Sequence, residues 1–96
     1  MEGFIKIHRK LLEWEWYDDA NVMRVFIHFL LKTNHTEKEW RGNTIKRGHL
    51  ITSYDSLSKE LGLSVKQIRT VISKLKRTNE IDTKSNSKHT VIQLLN

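Results

Sequence analysis

One short junction, Gly62-Leu63-Ser64, constrains the fold of this 96-residue chain more than any other feature. Before it, a helix is predicted from the N-cap residue Ser53, and Gly62 suits the left-handed backbone that ends such a helix. The buried stripe of this helix consists of Tyr54, Leu57 and Leu61. Ser64 and Gln67 then form the spacing of a capping box, which opens a second helix. The sequence therefore predicts a helix-turn-helix, because so short a turn makes the two helices cross at a steep angle.

The second helix has two chemically different sides. Its apolar side comprises Val65, Ile68, Val71, Ile72 and Leu75. Its opposite side is centred on Lys66, Thr70, Ser73 and Arg77, with Gln67, Arg69 and Lys74 at the margins. Five basic residues and no acidic residue occur between Ser64 and Asn79. Cations suit phosphates, and Arg, Gln, Ser and Thr are residue types that bond to base edges, so this side is predicted to bind DNA. The alternative is an ordinary amphipathic helix with a solvated face.

A β-hairpin is predicted after the second helix. Its strands are Ile81–Ser85 and Thr90–Leu95, and its turn, residues 86–88, holds residue types that tolerate left-handed geometry. Near the tip lie Lys84, Lys88 and His89. Lys84 and Lys88 are candidate contacts to the DNA backbone or minor groove, or else they protect an edge strand from aggregation. A weakly alternating run at 49–52 predicts one more short strand.

This order of elements predicts the fold class. A helix-turn-helix followed by a hairpin is the order of a winged helix, here an α+β fold that is mainly α. An extra N-terminal helix is predicted over residues 4–13. Asp18 and Asp19 are expected to be the N-cap and an early acidic residue of the next helix, about Ala20–Thr33. This helix is apolar almost all round and is therefore predicted to be central and buried. Residues 34–48 are predicted to be a loop or a short hairpin, with Gly42 and Gly48 at positive φ.

Three tryptophans stand out in so small a chain. Core packing is the first interpretation for Trp14, Trp16 and Trp40, since buried indoles usually serve that purpose. Self-association through Trp14 and Trp16 and base stacking by Trp40 are the alternatives.

Composition narrows the classes of function. The formal charge is +6 and the pI about 9.8, with nine basic against seven acidic residues in 1–48 but eight against four in 49–96. This balance fits a polyanionic partner such as double-stranded DNA. The length fits a single domain over residues 1–96. Without cysteines, signal-peptide pattern or membrane span, a cytoplasmic protein is expected, with no membrane partner.

Catalytic patterns are not found in the sequence. The five histidines are scattered without metal-ligand spacing, and no glycine-rich phosphate loop occurs. His28 is expected to be a satisfied or surface histidine. We therefore expect a protein that is not an enzyme and that uses no cofactor or metal.

The chain resembles the N-terminal winged-helix domain of the DnaD-like replication proteins, the replisome organisers and primosome components of bacteria and their phages. The resemblance rests on "GFIKIHRKLLEWEWYDD", "VFIHFLLKTNH", "WRGNTIKRGHLITSYDSLSKELGLSVKQIRTVISKLKRTNEI" and "TVIQLLN". The pattern "WRG..IKRG.LITS" before the helix-turn-helix is its most specific part.

The resemblance implies a role in replication initiation: binding of origin or template DNA, self-association, and contacts with other replication proteins near helicase loading. In such relatives a linker and a helical C-terminal domain follow, and that second domain is not part of this sequence. Two alternatives stay open, namely an oligomerisation or protein-interaction module of the same machinery and a small winged-helix transcription regulator.

Overall fold

The computed structural model describes residues 5–33, 38–40, 42–45 and 48–95, and for 38–40 and 43–45 it describes only the backbone. A 3₁₀ helix, Arg9–Glu13, precedes three α-helices and five strands. The helices are α1 (Ala20–Lys32), α2 (Tyr54–Leu61) and α3 (Val65–Arg77). The strands are β1 (Lys38–Trp40), β2 (Asn43–Ile45), β3 (His49–Thr52), β4 (Ile81–Ser85) and β5 (Thr90–Leu94). The described part of the chain is a small α+β domain with more helix than strand.

The core lies where α3 meets α1, α2 and β4. Helix α3 contributes the largest share of it, and the side chains of Ile68 and Leu75 are completely buried. The other buried apolar residues are Val22, Val25 and Phe29 of α1, Leu57 and Leu61 of α2, Val71 and Ile72 of α3, and Ile81 and Ile92 of the sheet. Their periodic spacing explains the helices, because each helix buries one apolar stripe. The predicted apolar side of α3 is thereby confirmed, with Val65 partly exposed at its beginning.

A three-stranded antiparallel sheet, in the order β3-β5-β4, closes one side of the core. In its register Ile81 opposes Leu94, and Ile92 lies between Leu50 and Thr83. Because side chains alternate along a strand, these residues share one face of the sheet. Ile81 and Ile92 are buried there, and Leu50 and Leu94 pack against the core. The predicted strand at 49–52 and the predicted hairpin are both confirmed, with β5 ending at Leu94 rather than Leu95.

The turn between α2 and α3 has the geometry that the sequence predicts. Ser53 caps α2, and Gly62 follows α2 with a φ of 69°. The Ser64 side chain accepts the backbone N–H of Gln67, while the Gln67 side chain accepts the backbone N–H of Ser64. This capping box fixes the direction in which α3 leaves the turn.

The end of α3 is fixed by a residue that the sequence did not single out. Asn79 has a φ of 61°. Its backbone N–H bonds to the carbonyl of Lys76, and the N–H of Glu80 bonds to the carbonyl of Leu75. These two bonds form a Schellman motif, in which asparagine replaces the usual glycine. The motif turns the chain from α3 directly into β4.

Two predictions about the first half of the chain are wrong. Residues 5–8 are not helical, and only the 3₁₀ turn Arg9–Glu13 occurs where a helix over 4–13 was predicted, with residue 4 outside the described part. Helix α1 is not buried all round, because Leu31 is 54% exposed. Its buried side consists of Val22, Val25 and Phe29. The other large apolar residues of α1 are buried or partly buried, so Leu31, near the end of the helix, is the one that faces outward.

Within residues 34–48, β1 and β2 pair antiparallel, so the prediction of a short hairpin in this stretch is confirmed. Gly42 and Gly48 both have positive φ, which confirms the predicted role of these glycines. The side chain of Trp40 lies outside the described part of the structure, so core packing and base stacking by Trp40 both stay predictions.

No helix among the described residues combines the length and the apolar character that a membrane crossing would need.

We predict that Gly62→Ala destabilises the fold by about 1–2 kcal/mol, since a Cβ is unfavourable in left-handed backbone. A Cβ at this position would meet no atom within 4 Å, so the cost comes from the backbone alone. Gly62→Asn is the matched control and should cost less, because asparagine tolerates this conformation. Urea unfolding followed by circular dichroism measures both, and equal stability of G62A and the parent protein would contradict the prediction.

Candidate nucleic-acid interface

The polar side of α3 faces solvent along most of the helix. Lys66, Gln67, Thr70 and Ser73 are exposed, and Arg69 and Arg77 are exposed as well. Lys74 differs from these residues because it is only partly exposed. The structure therefore exposes six of the seven predicted α3 residues, because the apolar side of the same helix packs against the core.

Both arginines of this surface lie over aromatic rings. The guanidinium carbon of Arg69 is 4.9 Å from the ring centroid of Tyr54, the first residue of α2. The guanidinium carbon of Arg77 is 5.5 Å from the ring centroid of Trp16. Cation–π contacts at exposed sites are worth about 0.5–1 kcal/mol, enough to favour one orientation of each side chain without making it rigid.

Lys74 is held by the segment that precedes α1. Its Nζ donates to Oδ2 of Asp19 at 2.7 Å and lies 5.6 Å from the ring centroid of Trp16. The side chains of Lys74 and Asp19 are 33% and 27% exposed. Of the basic residues predicted to contact DNA, Lys74 is therefore the one for which the described part of the structure shows an ion pair with a carboxylate.

Asp19 has two roles at once. Its Oδ1 accepts the backbone N–H of Val22 at 3.1 Å, so Asp19 itself is the N-cap of α1 and not an early acidic residue within the helix. Its Oδ2 accepts the bond from Lys74. The hydrogen bond from Lys74, followed by the backbone bond from Val22, lowers the pKa of Asp19 below its ordinary value of 3.8. Asp19 is therefore a negative charge at neutral pH, fixed beside the basic helix.

Two tryptophans attach the N-terminal segment, residues 5–19, to the end of α3. Trp14 Nε1 donates to Oε1 of Glu80 at 3.0 Å, and Trp16 Nε1 donates to Oγ1 of Thr78 at 2.9 Å. The ring of Trp14 also packs against Phe26, with 4.9 Å between centroids. The prediction of core packing is confirmed for these two tryptophans, which pack against the buried cluster. Their indole N–H groups explain why they are only partly buried, since each needs a polar partner.

The tip of the hairpin is ordered by one side chain. Asn86 Oδ1 accepts the backbone N–H groups of Lys88 and His89, at 2.7 and 2.9 Å. None of residues 86–88 has positive φ, so the turn does not use the left-handed geometry that its residue types tolerate. The Asn86 side chain shapes this turn instead. Lys84 and Lys88 are both exposed, and Lys84 points away from the core because it opposes Val91 on the outer face of the sheet.

A shallow groove of about 170 Å³ runs between α3 and the beginning of α1. Its lining residues are Asp19, Asn21, Lys66, Gln67, Thr70, Val71 and Lys74. The groove brings the N-terminal half of the α3 surface together with the fixed carboxylate of Asp19. Sequence reasoning identified the α3 residues but missed this neighbour, because nothing in the local pattern shows which distant acid faces a helix.

Two further observations concern other chemistry. His28 Nε2 lies 2.9 Å from Oε1 of Glu60, which links α1 to α2 and confirms the expectation of a satisfied histidine. Among the described residues, no three His, Cys, Asp or Glu side chains gather as a metal site would need.

Comparison of the chain with models of protein families, with curated proteins and with solved structures yields no significant match.

We predict that Asp19→Asn lowers the free energy of unfolding at pH 7 by about 0.5–1 kcal/mol, the range for a partly exposed ion pair. Asparagine keeps the N-cap, so the loss isolates the charge. Because the pKa of Asp19 is lowered by folding, its contribution is present above the ordinary value of 3.8 and is lost as the pH falls through the folded value. Urea unfolding at a series of pH values should show the difference between the two proteins closing in acid. A difference that persists unchanged in acid would contradict this account.

Proposed function

We propose that the chain is a winged-helix DNA-binding domain in which α3 enters the major groove of duplex DNA. The observation that carries the proposal is the exposed side of α3, which belongs to a segment, Ser64 to Asn79, with five basic residues and no acid. The order of α2, turn, α3 and hairpin is compatible with a winged helix. The three-stranded sheet would place the β4–β5 hairpin, as the wing, beside the DNA.

The proposed roles follow from side-chain chemistry and position. Lys66, Thr70, Ser73 and Arg77 lie along the centre of the exposed side of α3, where groove atoms would approach. Gln67, at one margin, suits a contact to a base edge, and Arg69, at the other margin, suits a phosphate contact. Lys84 and Lys88 would contact the backbone from the hairpin. Lys74, paired with Asp19, is the member of the predicted set least free to reach phosphate.

Replication initiation is the biological setting that we propose, on the strength of the resemblance to DnaD-like replisome organisers. A small winged-helix transcription regulator would use the same surface, because the physics of groove entry is shared. In both roles, replication initiation and transcription regulation, the protein would act in the cytoplasm by binding DNA and would not catalyse a reaction.

We predict that the double variant K66A/R69A weakens binding to duplex DNA by about tenfold or more at about 0.1 M salt. Each phosphate contact removed should also make the slope of log affinity against log salt less steep by about 0.9. Fluorescence anisotropy with a labelled duplex at several salt concentrations measures both quantities.

The matched control is K32A/K59A, which removes the same charge from exposed lysines that belong to neither α3 nor the hairpin. It should lose much less affinity and keep the fold, as circular dichroism would show for both variants. Equal losses in the two double variants would mean that net charge rather than the α3 surface determines binding.

A second candidate function is self-association or binding of another replication protein. It is favoured by the exposed apolar side chains of the N-terminal segment, where Ile7, Leu12 and Tyr17 are 53%, 64% and 43% exposed. Trp14 and Trp16, which the sequence offered for this role, are instead engaged within the chain. The candidate surface is therefore next to the tryptophans and does not include them.

If this surface associates, sedimentation velocity should show a larger species that increases with protein concentration, and Leu12→Ser should reduce it. The reason is that exposed apolar side chains gain by burial against another protein surface. Because association increases with protein concentration, a protein that stays monomeric up to about 0.5 mM would exclude self-association.

A further inference from the structure

We propose that Asp19 limits the DNA affinity of α3 by holding the Lys74 ammonium away from phosphate. The inference rests on the proposed function and adds a regulatory contact to the same surface. Asp19, which lies outside the helix-turn-helix, would thereby determine in part how strongly the domain binds duplex DNA of any sequence.

The contact is well placed to act in this way. Lys74 Nζ lies 2.7 Å from Asp19 Oδ2 and also lies over Trp16, so the ammonium has partners on its own protein. Asp19 cannot easily follow Lys74 toward a ligand, because its Oδ1 accepts the Val22 N–H as the N-cap of α1. Lys74 must therefore leave a fixed carboxylate in order to bind phosphate.

The position of Asp19 explains why this contact bears on DNA. Its carboxylate lines the same groove as Lys66, Gln67 and Thr70, the N-terminal half of the exposed α3 surface. A phosphate that approached Lys74 would meet the negative charge of Asp19. Lys66 has no ion-pair partner among the described residues, and it is not subject to this restraint.

The contact between Asp19 and Lys74 would therefore lower the affinity for duplex DNA and raise the selectivity among DNA sequences. Phosphate contacts supply sequence-independent affinity and positioning, whereas base contacts distinguish sequences. By removing one cation from the phosphate-binding set, Asp19 would leave a larger share of the binding to Gln67, Thr70 and the other groups that can contact bases.

The test is duplex binding by D19N at several salt concentrations. Lys74 would then gain one phosphate contact, so the slope of log affinity against log salt should steepen by about 0.9 and affinity should rise about five- to tenfold near 0.1 M salt. The asparagine introduced by D19N can still cap α1, and D19S is the substitute if D19N does not fold as judged by circular dichroism.

Two controls separate the contact from net charge. D18N removes the neighbouring carboxylate, which is exposed, and should raise affinity by less than about twofold because salt screens its charge. In D19N/K74M, which has the net charge of the parent protein, the gain should be lost because it requires Lys74.

The outcomes distinguish the two proposals. If the parent protein binds duplex but D19N binds no more tightly than D18N, or if D19N/K74M keeps the gain, the role of Asp19 is refuted and the DNA-binding function stands. If neither the parent protein nor D19N binds any duplex at low salt, the proposed function fails and the role of Asp19 fails with it.

Discussion

Burial of the apolar stripe of α3 is the interaction on which the rest of this structure depends. Ile68 and Leu75 are fully buried, and the stripe contacts α1, α2 and β4, so a single helix joins every major part of the core. Fully burying an aliphatic side chain of this kind is worth about 1.5–3 kcal/mol, more than any exposed charge on the helix can contribute. The apolar side therefore decides the orientation of α3, and the basic side is exposed as a consequence.

A second layer of polar contacts fixes the two ends of α3. The Ser64–Gln67 capping box sets its beginning, and the Asn79 turn leads its end into β4. The N-terminal segment then adds Trp14, Trp16 and Asp19, which bond to Glu80, Thr78 and Lys74. This segment gives the domain more packing than a helix-turn-helix and hairpin alone would have. It also brings the negative charge of Asp19 to one margin of a basic surface.

The parts of the fold that the sequence could predict are those with local causes. Gly62, Ser64 and Gln67 act within a few residues of one another, and the apolar stripe of α3 repeats at the helical period, so both could be identified. The prediction of an N-terminal helix was wrong. It was based on the helical spacing of Phe4, Ile7 and Leu11, but Ile7 is exposed in the structure and does not pack against the core. The Lys74–Asp19 pair joins residues 55 positions apart, and charge counting within one helix cannot find such a partner. For the candidate site, the sequence thus identified the surface, whereas the tertiary structure showed which of its cations is already engaged.

The most direct test of the central claim is a titration of ¹⁵N-labelled protein with a short duplex, followed by the backbone amide signals in NMR. If α3 and the hairpin bind DNA, the largest shifts will fall on the exposed positions of residues 65–77 and on the hairpin tip around Lys88, and they will diminish as salt is added. Shifts confined to the N-terminal segment around Leu12, or to the outward side of α1 around Leu31, would place the contact elsewhere and contradict the account.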